Sequence, residues 1–154
     1  MSSINKLIYY LIRKNITISV AESCTGGLIS QTITKHSGVS QIFSAGIVCY
    51  SNKAKNKYLS ISKKTLSKYG SVSEEVALEM INNLYKIEKT NICISTTGIA
   101  GPKGGNRKKP VGLVFIGIKI RNDKFIFKKI YKGNRTDIQR KTRDFIFKKI
   151  ENLV

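Results

Sequence analysis

The chain has 154 residues, 41% of them hydrophobic, and carries a net charge of +19. This length and composition predict one globular domain with a core of its own and exclude an intrinsically disordered chain. No apolar run approaches the roughly 20 residues of a membrane span, so we expect no membrane association.

The positive charge and the cysteines bear on partner and compartment. The 28 Lys and Arg residues are scattered singly or in pairs, which favours biased residue usage over a specific nucleic-acid surface. A basic accessory protein that binds nucleic acid remains an alternative. The three cysteines are odd in number and show no paired spacing, and the sequence lacks a signal peptide. These features predict a reducing compartment, and we expect the cytoplasm.

The first third of the chain reads as helix, strand and helix. Helical spacing of apolar residues predicts a helix over 1–15, and alternation predicts a strand over 16–21. A second helix is predicted over 28–35 after two glycines. The small and apolar segment 43–50 then predicts a buried strand.

The middle of the chain is predicted to be helical. Residues 52–58 and 62–70 predict two short helices, the second of which stops at Gly70. The clearest helix in the sequence follows Ser73, a good N-cap residue, with Glu74 and Glu75 in its first turn.

The last third of the chain predicts three strands and a closing helix. The strands cover 91–96, 111–120 and 124–131, and the amphipathic helix covers 137–152. Because βα units and a β-hairpin occur together, the sequence predicts an α/β fold. We expect a three-layer sandwich with a mixed β-sheet flanked by helices.

A turn of small residues follows the first predicted strand. Ser23, Cys24 and Thr25 precede Gly26 and Gly27, and a helix comes directly after them. Such a turn lets a ligand approach the backbone, and the N–H groups of the first helical turn then face that ligand. The segment is therefore a candidate for a nucleophile together with an oxyanion or phosphate site.

A second glycine-rich loop follows a later strand, with four glycines between residues 98 and 105. It lacks the spacing of a P-loop or a dinucleotide fingerprint. Two such loops at strand ends predict a small-molecule site for a ligand with an anionic group.

A base for this chemistry is harder to select. His36 is the single histidine and precedes a Ser-Gly pair at a helix end, where a solvated capping role is expected. Metal binding is poorly supported, because the cysteines and carboxylates are not clustered. Tyr50, Lys53 and Lys55 remain as candidates for a Ser-Lys or Ser-Lys-Tyr arrangement.

Five segments together carry a family likeness: AESCTGG, YSNKAK, GSVSEEVA, TGIAGPKGG and KPVGLVFIGI. Their order and spacing resemble the CinA C-terminal domain family over about residues 3–152. The chain looks like the standalone form of that domain. The resemblance implies a nicotinamide-nucleotide amidase, which hydrolyses the carboxamide of nicotinamide mononucleotide to nicotinate mononucleotide and ammonia, with no metal or cofactor.

The resemblance also implies site residues. Ser23 falls on the nucleophile, Lys55 on the base and Tyr50 on the neighbouring tyrosine, and either Tyr50 or Lys55 passes the proton to ammonia. Cys24 is a rival nucleophile. The expected substrate-binding residues are Cys24, Thr25, Gly26, Gly27, Thr97, Gly98, Ala100, Gly101, Gly104, Gly105 and Arg135.

Two positions depart from the family pattern. Lys53 stands where an acidic residue is usual, and Asn134 replaces the aspartate of a GDR segment. Because of these departures, a nucleotide-binding module that has lost catalysis remains an alternative function. The expected partner is a small nucleotide rather than a specific nucleic acid or a membrane, and self-association is left open.

Overall fold

The computed structural model of the protein describes residues 2–154. The strands are β1 (Ile18–Glu22), β2 (Phe43–Val48), β3 (Ile92–Gly98), β4 (Leu113–Ile120) and β5 (Asp123–Ile130). The helices are α1 (Ser3–Arg13), α2 (Leu28–Thr34), α3 (Asn52–Leu59), α4 (Lys63–Tyr69), α5 (Glu74–Glu88) and α6 (Arg135–Leu153). A 3-10 turn covers Val39–Gln41.

The five strands form one mixed sheet in the order β2-β1-β3-β4-β5. Strands β2, β1 and β3 are parallel, whereas β4 and β5 form an antiparallel hairpin beside them. The ends of β1, β2 and β3 therefore meet at one edge of the sheet, together with the beginning of β4 and the end of β5. The site residues expected from the sequence lie at this end of the sheet, in loops, at the end of β3 and in the first turns of α3 and α6.

Helices cover both faces of the sheet, so the predicted three-layer sandwich is confirmed. One face packs α1, α2 and α6 around a buried cluster that includes Ile8, Ile94 and Phe147. The other face packs α3, α4 and α5 around a second cluster that includes Met80 and Cys93. Removal of these apolar side chains from water is the main force that holds the layers together.

Short side chains cap several helices, and the sequence predicts the cap at Ser73 and the end at Gly70. Ser73 accepts the N–H of Val76 at 3.3 Å and begins α5, and α4 ends at Gly70. Ser2 caps α1 in the same way, through the N–H of Asn5. Within residues 2–154, no helix combines the length and apolar character needed to span a bilayer.

Strand β2 is not buried, which corrects the expectation for residues 43–50. It spans Phe43–Val48 and is the outermost strand of the sheet, and alternate residues along it are exposed. Val48, for example, is 48% exposed. Strand order arises from distant pairings, so an apolar sequence did not reveal that this strand lies at an edge.

Helix α6 begins earlier than the sequence predicts, at Arg135 rather than at residue 137. The reason is a capping box. Asn134 accepts the N–H of Asp137 at 2.9 Å, and the Asp137 carboxylate accepts the N–H of Asn134 at 3.0 Å. Asparagine and aspartate are about equally good N-caps, so Asn134 performs this structural role without a carboxylate.

His36 is buried, not solvated as expected. Its Nδ1 donates to the carbonyl of Ile33 at 3.2 Å, and its Nε2 lies 3.0 Å from the side-chain oxygen of Asn5. The ring also packs edge-on against Tyr9. The histidine therefore joins the end of α2 to α1 and lies away from the loops that follow the parallel strands.

Candidate active site

Ser23 and Lys55 meet at the edge of the sheet where the parallel strands end. Ser23 follows β1 directly, and Lys55 lies on α3, which follows the neighbouring strand β2. Lys55 Nζ donates to Ser23 Oγ at 2.8 Å and to the carbonyl of Cys49 at 3.2 Å. Both residues are almost completely buried, since Ser23 is 6% and Lys55 is 2% exposed.

The surroundings of Lys55 disfavour its charged form. Burial lowers the pKa of Lys55 below its ordinary value of 10.5, while the nearby thiols of Cys49 and Cys24 act in the opposite direction. Lys55 makes no ion pair within residues 2–154. A lysine in such a setting can be neutral and accept a proton from the serine hydroxyl beside it.

Cys24, the rival nucleophile, is a poor one in this environment. Burial raises the pKa of the Cys24 thiol to about 12, and the charge of Lys55 opposes this only partly. Because the thiolate is the reactive form of cysteine, the neutral thiol of Cys24 is inert at ordinary pH.

Glu22 shapes the turn that presents Ser23, and sequence reasoning missed it. Its carboxylate is fully buried and accepts five hydrogen bonds. The donors are the Thr25 hydroxyl, the N–H groups of Gly27, Ile29 and Ser30, and the Ser30 hydroxyl. No pattern of residue types in the sequence marks these donors, because the chain must fold back before they converge.

These contacts correct the expectation that the first turn of α2 faces a ligand. The N–H of Gly27 donates to Glu22 at 3.0 Å, and the N–H of Gly26 donates to the carbonyl of Ser23 at 3.0 Å. Both glycines have positive φ angles, +59° and +100°, so they are needed for the turn itself. Within residues 2–154, the N–H groups of Cys24 and Thr25 donate to no backbone carbonyl.

Thr96 on β3 is a further residue of the site that the sequence did not reveal. Its hydroxyl accepts the N–H of Ser23 at 3.3 Å and lies 2.8 Å from the hydroxyl of Thr25. The neighbouring Thr97 points elsewhere, since its hydroxyl donates to the carbonyl of Ser71 at 2.6 Å. Thr97 therefore ties β3 to the turn before α5 instead of facing a ligand.

A cleft of about 410 Å³ lies at the same end of the sheet, although neither Ser23 nor Lys55 lines it. The glycine loop forms much of it, through Gly98, Ala100, Gly101 and Gly104. Gly105 does not line the cleft, because it packs against the backbone of Val111. Gly98 lines the cleft at the end of β3, two residues after Thr96, whose hydroxyl accepts the N–H of Ser23.

Tyr50 and Arg135 form one wall of this cleft. Arg135 Nη2 donates to the Tyr50 hydroxyl, and Arg135 Nη1 donates to the carbonyl of Gly101 at 2.8 Å. Tyr50 is 57% exposed, and its hydroxyl contacts Arg135 rather than Ser23 or Lys55. The structure thus brings together Ser23 with Lys55, and Tyr50 with Arg135.

The rest of the lining includes residues that the sequence did not single out. Gly70, Ser71 and Val72 line it, and Lys109 Nζ donates to the carbonyl of Tyr69 at 2.6 Å. With 28 basic residues in the chain, charge alone could not select Lys109. Within residues 2–154, no group of three His, Cys, Asp or Glu side chains is placed to hold a metal ion.

Comparison with known proteins gives a consistent family. A family model described as the CinA C-terminal domain matches residues 2–154. A CinA-like protein of Fusobacterium nucleatum is 54% identical over 128 residues, which are 83% of this chain and 31% of that protein. A CinA-like protein of Kosmotoga olearia is 46% identical over 144 residues, which are 93% of this chain and 35% of that protein.

This chain therefore spans about a third of the length of these relatives. A solved structure matches it over nearly its whole length. The crystal structure of the competence/damage inducible protein CihA from Agrobacterium tumefaciens superposes with a TM-score of 0.92 at 34% identity. The match covers 99% of this chain and 96% of that one.

Proposed function

Because the chain belongs to the CinA C-terminal domain family, we propose that it hydrolyses the carboxamide of nicotinamide mononucleotide, releasing nicotinate mononucleotide and ammonia. The observation that carries the proposal is the 2.8 Å contact between Lys55 Nζ and Ser23 Oγ in a nearly buried site. A serine beside a base is the arrangement that nucleophilic acyl transfer requires.

The first half of the reaction transfers the acyl group to the enzyme. Neutral Lys55 takes the hydroxyl proton of Ser23 while Oγ attacks the carboxamide carbon. The N–H groups of Cys24 and Thr25 stabilise the oxyanion that develops on the carbonyl oxygen. Protonated Lys55 then gives its proton to the amide nitrogen, the C–N bond breaks, and ammonia leaves an ester on Ser23.

The second half returns the enzyme to its starting state. Neutral Lys55 takes a proton from water as the water oxygen attacks the ester carbon. The bond between this carbon and Ser23 Oγ breaks, and Lys55 returns the proton to Oγ. In this scheme Tyr50 transfers no proton, because its hydroxyl contacts Arg135 rather than Ser23 or Lys55.

Ammonia release tests the proposal directly. We expect the purified protein to convert nicotinamide mononucleotide to nicotinate mononucleotide with stoichiometric ammonia, and Ser23→Ala to release none. Binding of the nucleotide without turnover would instead support the module without catalysis. Failure to bind it, together with tight binding of nucleic acid at physiological salt, would support the basic accessory protein.

A further inference from the structure

An aromatic and basic cluster lies on the outer strand β5 and the second half of α6, separated from β1 by two strands of the sheet. Phe125 and Phe127 occupy the face of β5 that packs towards α6, and their rings are nearly parallel with centroids 6.3 Å apart. Phe145 on α6 meets Phe127 edge-on, at 5.2 Å between centroids. We call these three rings, together with Lys129 and Lys149 beside them, the aromatic–lysine patch.

The two lysines of the patch lie over its rings. Lys129 Nζ is 4.8 Å from the centroid of Phe145, and Lys149 Nζ is 5.4 Å from that of Phe127 and 5.7 Å from that of Phe145. At such distances the negative face of an aromatic ring attracts a cation. Neither lysine forms an ion pair within residues 2–154, so both charges remain available to an anion.

The patch is open to solvent on the outer side of the sheet. Phe125, Phe127 and Phe145 are each partly exposed, whereas Phe147 on the inner side of α6 is 1% exposed. Within residues 2–154, β5 pairs with β4 alone, so no strand covers its outer edge. A flat ligand can therefore reach the rings from this side.

The charges around the patch are mainly positive. Three further exposed lysines border it: Lys124, Lys128 and Lys148. The carboxylates in the same segments are those of Asp123, at the beginning of β5, and Asp144, which pairs with Arg143 at 2.7 Å. Lysines therefore outnumber carboxylates here, and the whole chain adds a net charge of +19. Such a surface attracts a polyanion.

Rings and lysines placed side by side match the chemistry of a single-stranded nucleic acid. An unpaired base presents a flat face that stacks on an aromatic ring, and the phosphates on either side of the base attract ammonium groups. A duplex keeps its base faces stacked inside, so it would use only the lysines of the patch. The aromatic rings therefore favour a single strand over a duplex.

We propose that the aromatic–lysine patch binds single-stranded nucleic acid without reading its sequence. Bases stack on Phe125 and Phe127, and Lys129 and Lys149 hold the phosphates beside them. A base that stacks on Phe127 takes the position of the Lys149 ammonium over this ring, and the ammonium moves to the adjacent phosphate. The patch includes no residue of the proposed active site, so this inference does not depend on the proposed amidase activity.

Fluorescence anisotropy with labelled strands of about 12 nucleotides tests this assignment. At a physiological ionic strength of about 0.15 M, we expect a mixed-sequence single strand to bind about tenfold more tightly than the duplex of the same sequence. Phe125→Ala should weaken binding of the single strand about fivefold or more, which corresponds to the loss of one stacked base, and leave duplex binding unchanged. Phe125→Trp should retain the affinity, because an indole ring also stacks on a base.

Tyr58→Ala is the matched control, because Tyr58 is an exposed ring with the Lys57 ammonium 5.1 Å from its centroid, on the helix layer of the opposite face. It should change the affinity for the single strand by less than about twofold, because one isolated ring outside the patch adds no stacked base. Lys149→Gln should reduce the slope of log affinity against log salt by about one, as expected for one lost phosphate contact. This variant tests the patch even where Phe125→Ala does not fold.

Equal affinity for the single strand and the duplex, or equal losses in Phe125→Ala and Tyr58→Ala, would reduce the binding to general attraction by the net charge and overturn the proposal. Absence of binding at physiological salt would overturn it as well. Strands of DNA and RNA are titrated separately, and the tighter of the two identifies the class of ligand. Phe125→Ala should release ammonia at the rate of the unmodified protein, so failure of the patch and failure of the amidase are distinguishable.

Discussion

The carboxylate of Glu22 accepts both the backbone N–H and the hydroxyl of Ser30, at 2.8 and 2.7 Å, although the two residues are eight positions apart. Its other oxygen accepts Thr25 and Gly27 on the near side of the turn. One buried side chain therefore holds both ends of the segment that presents Ser23.

Glu22→Gln is expected to lower the free energy of unfolding by about 3 kcal/mol or more, because the amide group would leave buried N–H donors without acceptors. Urea denaturation measures this change. Glu151→Gln, at an exposed position of α6, serves as the control and should stay within about 0.5 kcal/mol of the unmodified protein. Equal stability of the two variants would contradict the structural role of Glu22.

Ser23→Ala is expected to abolish ammonia release. Its far-ultraviolet circular-dichroism spectrum and melting temperature should stay close to those of the unmodified protein. The change removes the attacking oxygen and a single hydrogen bond with Lys55. Cys24→Ser should retain activity, because burial keeps the Cys24 thiol neutral. An active Ser23→Ala with an inactive Cys24→Ser would reverse the assignment of the nucleophile.

Lys53→Glu is expected to move the acid limb of kcat/KM to higher pH. Lys53 is exposed and two positions from Lys55 on α3, so an anion there favours the charged form of Lys55 and raises its pKa. The two side chains do not face each other, so the acid limb should move by only a few tenths of a pH unit, and by less when salt is added.

Lys148→Glu, an exposed position on the opposite face of the sheet, makes the same change of charge and should leave the acid limb in place. Lys55→Met should have no activity from which to measure a limb. A move to lower pH in Lys53→Glu, or turnover by Lys55→Met, would show that Lys55 is not the base.

Lys55→Met is expected to be more stable than the unmodified protein at neutral pH. Burial lowers the native pKa of Lys55, so the unfolded chain, with a pKa near 10.5, binds the proton more tightly. The free-energy cost of burying the charged Lys55 is paid in full below its lowered pKa. This cost disappears as the pH rises towards 10.5. The stability difference between the two proteins should therefore fall with increasing pH.

Urea denaturation of both proteins between about pH 6 and pH 10 measures this difference. Subtraction at each pH cancels most of the contribution of other groups, such as Tyr131, whose pKa burial raises to about 12. A difference that grows with pH would contradict a buried amine that favours its neutral form.

Arg135→Ala is expected to raise KM for nicotinamide mononucleotide about tenfold with little change in kcat, because the cleft wall loses its contacts with Gly101 and Tyr50. Arg135→Lys should restore only part of the apparent substrate affinity, because an ammonium group cannot reproduce the bidentate contacts of the guanidinium. Arg143→Ala, on the same helix but paired with Asp144, is the control. A large fall in kcat at unchanged KM would place Arg135 in the reaction itself.

Features that depend on neighbouring residues were predictable from the sequence. The caps at Ser73 and Gly70 and the hairpin of β4 and β5 follow from local turn and capping chemistry, and the structure confirms them. The order of layers followed from the mixture of βα units with that hairpin. The contact of Ser23 with Lys55 was expected only through the family resemblance.

Features that depend on distant pairing were not predictable. The exposure of β2 is decided by its place at the end of the strand order, and the donors of Glu22 converge only when Gly26 and Gly27 adopt positive φ. The first turn of α2 therefore looked open to a ligand in the sequence, although a side chain of the protein already fills it.

Lys55 follows the outermost strand, β2, so the proposed activity requires that this strand stay paired with the sheet. Ser23 follows β1, which has a strand on each side, whereas Lys55 is delivered by β2, which pairs with β1 alone. Partial opening of an edge element costs less free energy than global unfolding. Detachment of β2 would separate the two residues while β1, β3, β4 and β5 stay paired, so an almost fully folded molecule would already be inactive.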